Sequence, residues 1–298
     1  MTKTLVKSGQ ESLVMSYLPE YNRSYHHSVC KAYNIIRHVV DTLRMDDTVF
    51  ATAMSYWHEF VLQHGRRKIH EAVLGTAAVF LAGKVEHYKL RVDQMLKVAL
   101  EVDVDKNPKG EDVEAWRRML LDVELVLLDS LNFDCQRSHP IKQLLVLLET
   151  PNNHPASRQT KNEADMVKQL QHVAHCLYMI SLISPLCVKF SYQKIAAIIL
   201  YMVVYFSGNE NAYAHIWKQY PLPELEERDC IIGVIMDAFI FTRKKTGLPQ
   251  LDDLIVARRK RVREEDSLPM EVVRSSGFHS SSVGSESYEG SPFARPVD

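Results

Sequence analysis

The sequence predicts an all-α protein of two similar helical domains in tandem, followed by a disordered tail. Three observations carry this expectation. Apolar residues recur at steps of three and four through most of the chain, and no stretch competes with the alternating period of a strand. Two strongly apolar segments 121 residues apart share one set of apolar offsets. Beyond about Gly247 the chain turns basic and then Ser- and Gly-rich, with few large apolar residues to offset the entropy of ordering it.

The helices follow in order. Val29, Tyr33, Ile36, Val40 and Leu43 step by four, three, four and three, which draws one apolar stripe. After "MDDT", where Asp47 or Thr48 is placed to cap, Phe50, Ala53, Met54, Trp57 and Val61 draw a second, and His64-Gly65 reads as its stop. A third runs through Leu74, Ala77, Ala78, Leu81, Ala82 and Val85. Its small residues let neighbours approach, so it is expected at the centre of its domain. Residues 101–113, with Asn107-Pro108 and Gly110, read as a polar connection. A long helix is expected from about Glu114 to Leu131. "NFDCQRSHP" then breaks the pattern, and Pro140 opens a helix carrying Leu144, Leu145, Leu147 and Leu148.

The second half repeats this order. Ile195, Ile198, Ile199, Met202, Val203 and Phe206 have the offsets of the set from Leu74 to Val85, and each set is preceded by two helical segments. "TPNNHPASRQTKNEAD", 150–165, reads as a polar loop between the halves.

Composition excludes several classes. Hydrophobic residues make up 46% of the chain and charged residues 24%, both ordinary for a folded protein. A net charge of −1 lacks the basic surface of a general nucleic-acid binder. Five scattered cysteines without a C-x-x-C pair suit reduced thiols of a cytosolic or nuclear protein. The N-terminus lacks the apolar core of a signal peptide. The longest apolar run, the twelve residues of "IAAIILYMVVYF", falls short of the ~20 that span a bilayer. No membrane, direct nucleic-acid, metal or cofactor binding is expected.

Catalytic patterns are missing: there is no G-x-S-x-G, G-x-G-x-x-G, Walker loop or H-E-x-x-H. His172 and His175 share a helix face beside Cys176, and Cys135 lies four before His139, but neither group makes a four-ligand zinc site. Glu124 is more informative. At about 100° per residue from Trp116, the apolar residues Met119, Leu120, Val123, Val126, Leu127 and Leu131 span about −80° to about +60°, with Leu128 at about +120° and Leu121 at about +140°. Glu124 falls at about +80°, inside this broad arc. A carboxylate there is costly unless paired. Two explanations stand: an internal salt bridge, with Arg117 on the same edge as a partner, or a hydrogen bond to another protein. "VFLAGKVEHY", 79–88, poses the same choice, because Lys84 and Glu86 flank the apolar stripe by about 90–110° on either side. Periodicity alone makes them boundary residues in water, with Lys84 favoured in a last turn by the helix dipole. The basic run Arg258, Arg259, Lys260, Arg261 and Arg263 resembles a nuclear-import signal, and Ser291-Pro292 has the form of a proline-directed phosphorylation site.

These residues resemble the cyclin family. "AAVFLAGKVEHYKLRVDQML" looks like the cyclin-box segment whose usual form is "FLAGKVEE", followed by a short loop and another helix. "VELVLLDSLNFDCQRSHP" resembles the box's fifth helix and its "L-x-F-D" and "HP" exit, and "SYQKIAAIILYMVV" the central helix of a second box. The resemblance covers about residues 20–245, and its "GKVE" form points to transcription-type cyclins such as K, T, L and Q. It implies tandem five-helix cyclin boxes: an N-terminal arm at 1–22, a first box at 23–139, a second box at 140–247, and a basic linker with a disordered tail at 248–298. It also implies a regulatory subunit that is not itself an enzyme. Such a subunit forms a heterodimer with a cyclin-dependent kinase catalytic subunit, acts in the nucleus on transcription or RNA processing, and pushes the kinase's catalytic glutamate into its ion pair with the ATP-contacting lysine. Carried over to this chain, the kinase-binding positions are Lys84 and Glu124, with the apolar Val85 and Phe133. Two positions depart from the family form: His87 stands where a glutamate is usual, and Glu59 where an arginine is usual. No "MRAIL"-like docking patch occurs, nor the long His- or Pro-rich tails of some relatives. The alternative is a promoter-binding protein of the transcription factor IIB kind, which uses the same repeated fold but would want a zinc ribbon and basic boxes.

Overall fold

The computed structural model of the chain describes residues 23–65, 69–102, 110–139, 141–149, 151 and 160–246. The N-terminal arm, Asn107-Pro108, Pro140, the basic run at 258–263 and Ser291-Pro292 lie outside the described residues, as do the expected tail and the boundary at Gly247. Every regular element among the described residues is a helix. The first bundle holds α1 (Arg23–Thr42), α2 (Asp47–His64), α3 (Glu71–Val85), α4 (Val92–Val102) and α5 (Gly110–Ser130). The second holds α6 (Ile141–Leu148), α7 (Lys161–Ser181), α8 (Leu186–Lys189), α9 (Tyr192–Ser207), α10 (Glu210–Tyr213), α11 (Ile216–Gln219) and α12 (Leu225–Thr246).

Helix α3 is the axle of the first bundle. It packs against α1, α2, α4 and α5, and every residue from Ala72 to Gly83 is buried, so its charge-free surface has no solvent side. A stripe was the sequence expectation; enclosure on all sides replaces it, because four neighbours surround this one helix. Gly75 lets α1 come close: a Cβ there would lie 3.0 Å from the Ile35 Cγ2. Helix α9 repeats the role, packed against α6, α7 and α12 with Ile195, Ile198, Ile199, Met202 and Val203 buried. In both repeats the last residue of the shared apolar set, Val85 or Phe206, is only half-buried.

Three local expectations change. The N-cap of α2 is Asp46, without a side-chain cap bond, while Asp47 sits in the first turn, where the helix dipole favours an acid. Helix α5 starts at Gly110, a turn before the expected Glu114, since polar residues are compatible with a first turn. Helix α7 starts at Lys161, well inside the stretch expected to be loop. Its start is a capping box, in which the helix's first side chains satisfy its free backbone donors. Thr160 Oγ1 accepts from the Glu163 N–H at 3.3 Å, and the Thr160 N–H donates to Glu163 Oε2 at 2.7 Å. The T-x-x-E spacing was legible in "QTKNEAD".

The bundles share one continuous buried apolar cluster. Polar contacts between α2 and the α7 region cross the junction. His58, fully buried in α2, meets the Leu182 carbonyl at 2.8 Å through Nε2, and His175 Nε2 of α7 meets Asp47 Oδ2 at 2.8 Å.

Candidate functional site

The last turn of α3 closes as a Schellman motif. The His87 N–H donates to the Lys84 carbonyl at 3.2 Å, and the Tyr88 N–H to the Gly83 carbonyl at 2.8 Å. His87 closes the turn with φ +65°. Histidine is among the non-glycine residues enriched in this left-handed conformation. Its ring is exposed. The departure from glutamate thus falls at a position whose backbone role is set by the turn. Gly83 makes room for the returning chain, since a Cβ on it would overlap the Leu90 Cδ1. The Tyr88 hydroxyl accepts from the Asp46 N–H at 3.1 Å, tying this exit to the start of α2. The turn is therefore held from several directions, and with it Lys84 and Val85.

Helix α5 ends the same way. The Asn132 N–H donates to the Asp129 carbonyl and the Phe133 N–H to the Leu128 carbonyl, each at 3.0 Å. Asn132 has φ +50° and Phe133 φ +60°. Asparagine suits that region, whereas a bulky side chain is strained there. Phe133 is also 73% exposed, so its own fold gains little from the ring.

Lys84 and Glu124 meet. The Lys84 Nζ lies 2.5 Å from Glu124 Oε1 and 4.0 Å from the centre of the Phe80 ring, one turn back on α3. The lysine side chain is 47% exposed and the carboxylate 8%. Of the two explanations of Glu124, the chain itself forms an internal salt bridge, but the partner is Lys84. Arg117 instead pairs with Asp93 and Glu114. Beyond Glu124 around α5, Leu121 and Leu125 are exposed, the latter at 65%, and Leu128 is half-buried. A buried carboxylate thus borders an apolar strip that the chain leaves uncovered. The strip was only partly legible: Leu121 and Leu128 stood at the edge of the apolar arc, while Leu125 lies outside it.

Other candidates resolve differently. Glu59 pairs with Arg137 at 2.6 Å, and the Arg137 guanidinium lies over the Tyr56 ring, so a helix position usually basic is acidic here and is answered by a base on the exit segment. His139 is engaged by Thr52 and Tyr178, at 2.7 and 2.9 Å, rather than by Cys135. Cys176 Sγ stands 3.7 Å from His172 Nε2, and among the described residues no three His, Cys, Asp or Glu side chains converge as metal ligands. No helix among the described residues is long and apolar enough to cross a membrane.

Residues 5–136 match the family described as cyclin, N-terminal domain. The match lies over the first bundle and covers just under half of the chain, which is similar there to a cyclin box. Human Cyclin-K is 27% identical over 212 residues, covering 67% of this chain and 34% of that protein. Cyclin pch1 of Schizosaccharomyces pombe is 35% identical over 126 residues, covering 40% of this chain and 36% of that protein. The chain therefore resembles the transcription-type cyclins, and it spans about a third of the length of these curated relatives. A chain of the CAK complex of Chaetomium thermophilum bound to ATP-γ-S shares the fold, with a TM-score of 0.53 at 15% identity and coverage of 88% of both chains.

Proposed function

We propose that this chain is a cyclin, the activating subunit of a cyclin-dependent kinase acting on transcription or RNA processing in the nucleus. It binds through the face formed by the end of α3 and the outer side of α5. One observation carries the proposal: the uncovered strip of Leu121 and Leu125, with the strained and exposed Phe133, lies beside a lysine–carboxylate pair that is already desolvated on one side. Exposed apolar side chains beside buried polar anchors are what a partner helix needs for a groove with fixed register. On docking, Lys84 and Glu124 are free to turn their hydrogen bonds outward to kinase backbone groups, while Val85 and Phe133 add apolar contact. The cyclin supplies binding energy that places the kinase's catalytic glutamate, and the chemistry stays in the kinase.

The test is the double variant Lys84→Ala with Glu124→Ala. Removing both charges leaves no unpaired buried carboxylate, so folding is expected to survive. Co-purification of a recombinant kinase subunit should be lost while the thermal melt stays close to wild type. Unchanged kinase recovery sinks the assignment. Nuclear action is part of the proposal: replacing Arg258, Arg259, Lys260, Arg261 and Arg263 with Ala should leave the protein cytoplasmic, and persistent nuclear accumulation counts against the import signal.

A further inference from the structure

A directed line of hydrogen bonds runs from the second box to the turn that holds Lys84. Thr52 Oγ1 donates to Glu86 Oε1 at 2.9 Å. Glu86 is the C-cap residue of α3, two places after Lys84. A carboxylate only accepts, so the Thr52 proton is committed to Glu86. Thr52 Oγ1 also lies 2.7 Å from His139 Nε2, and in that bond the histidine must be the donor. With its one proton on Nε2, the neutral ring presents a lone pair at Nδ1. That lone pair accepts from the Tyr178 hydroxyl at 2.9 Å. Burial favours the neutral ring by pushing the His139 pKa down. With the ring neutral, every donor and acceptor in the line has one role, and turning the Thr52 hydroxyl towards His139 would leave Thr52 and Glu86 facing each other with no proton between them. Thr52 and Tyr178 are both buried.

The line joins elements that are distant in sequence. Tyr178 stands on α7 of the second box, His139 on the exit from α5, Thr52 on α2 and Glu86 at the end of α3. Glu86 is also the middle of the Schellman turn, whose bonds to Ala82, Lys84 and Gly83 orient the backbone carrying Lys84.

We propose that the second box positions the kinase-facing end of α3 through Tyr178, His139, Thr52 and Glu86, so that Tyr178, remote in sequence from that face, is a positioning residue for it. Its consequence for a kinase rests on the function proposed above; the coupling itself does not. Each bond holds the next group in one rotamer, which is the kind of contiguous polar connection that passes a displacement between sites. Glu86, whose place beside the apolar stripe raised the question of a partner, is thereby engaged from within the chain.

The experiment compares the full chain with Tyr178→Phe, Thr52→Val, their double variant and Thr52→Ser. Amide hydrogen exchange is read at the turn, His87 and Tyr88, and at Ile198 and Ile199 in the core of the second box. Tyr178→Phe and Thr52→Val are each expected to raise exchange at the turn about fivefold, the worth of one hydrogen bond. The double variant should do no more than the stronger single one, and Thr52→Ser should stay near wild type. No change at the turn in Tyr178→Phe, effects that multiply in the double variant, or an equal rise at Ile198 and Ile199 overturns the coupling. Affinity for a recombinant kinase catalytic subunit that binds the wild-type chain should fall about fivefold in Tyr178→Phe. Unchanged affinity overturns the positioning role while leaving the kinase face intact. If the wild-type chain binds no cyclin-dependent kinase subunit, the function proposed above fails, and the positioning role with it.

Discussion

Lys84 and Glu124 satisfy one another unequally: the pair is 2.5 Å apart, but the lysine side chain is nearly half in water and the carboxylate is buried. Each loses its partner at a different cost. With Glu124→Ala, the lysine rehydrates, and the loss should be about 1 kcal/mol or less. With Lys84→Ala, the carboxylate stays buried and unpaired, and the loss should be larger, on the order of 2–3 kcal/mol. Urea denaturation of the two single variants should show this order. Equal midpoints would mean that water reaches Glu124 as readily as Lys84.

Phe133 should separate stability from binding. Its φ of +60° strains the backbone of a bulky residue, and its ring is mostly exposed. Phe133→Asn puts a residue that tolerates the left-handed region in its place. The variant should melt at the wild-type temperature or slightly above, by up to ~1 kcal/mol of relieved strain. Kinase affinity should nevertheless fall. A clear drop in thermal stability would place the ring in the fold rather than on the partner-facing side.

The junction between the boxes should be most stable near pH 6.5, the ordinary value for both of its histidines. Burial holds His58 down at about 4, so the unfolded chain takes up a proton first and stability is lost as pH falls from 6.5 towards 4. His175 has the opposite sign. Its hydrogen bond to Asp47 lifts it to about 9, so its contribution is complete below 6.5 and is lost as pH rises through 9. The Asp47 carboxyl, held at about 2 by the same bond and then by Arg37, gives way only below the window of His58. Thermal melts from pH 4 to just above pH 9 should show the maximum. His175→Asn should flatten the alkaline side and His58→Gln the acid side.

Gly83 and Leu90 should behave as one site. Gly83→Ala gains helix propensity of about 1 kcal/mol but drives a Cβ into the Leu90 methyl. In Leu90→Ala that methyl is gone, so the same glycine substitution should stabilise. A double-mutant cycle read by denaturation should be non-additive by at least ~1 kcal/mol, and an additive cycle would mean that Leu90 simply swings aside.

Much of this was legible in the chain. Helix order, the central place of α3 and the burial of α9 follow from spacing, because a helix of small and apolar residues has few other ways to be buried. Glu124 stood out as a carboxylate inside an apolar arc. Its partner did not, since Lys84 lies forty residues away on a different helix and only packing of α3 against α5 brings the two within bonding distance. Arg117, on the same helix and the same edge, was the local choice, and Asp93 and Glu114 hold it instead.

The sequence by itself determined the all-helical repeat, the apolar residues that build both cores and the two motifs that resemble a cyclin box, because these depend on local period and short spacing. Only the tertiary structure decided which charges pair, that Leu125 and Phe133 are left in water, and that Glu86, Thr52, His139 and Tyr178 form one line. Those outcomes depend on distances between helices, and nothing in the period of a single helix encodes how its neighbours will cross it.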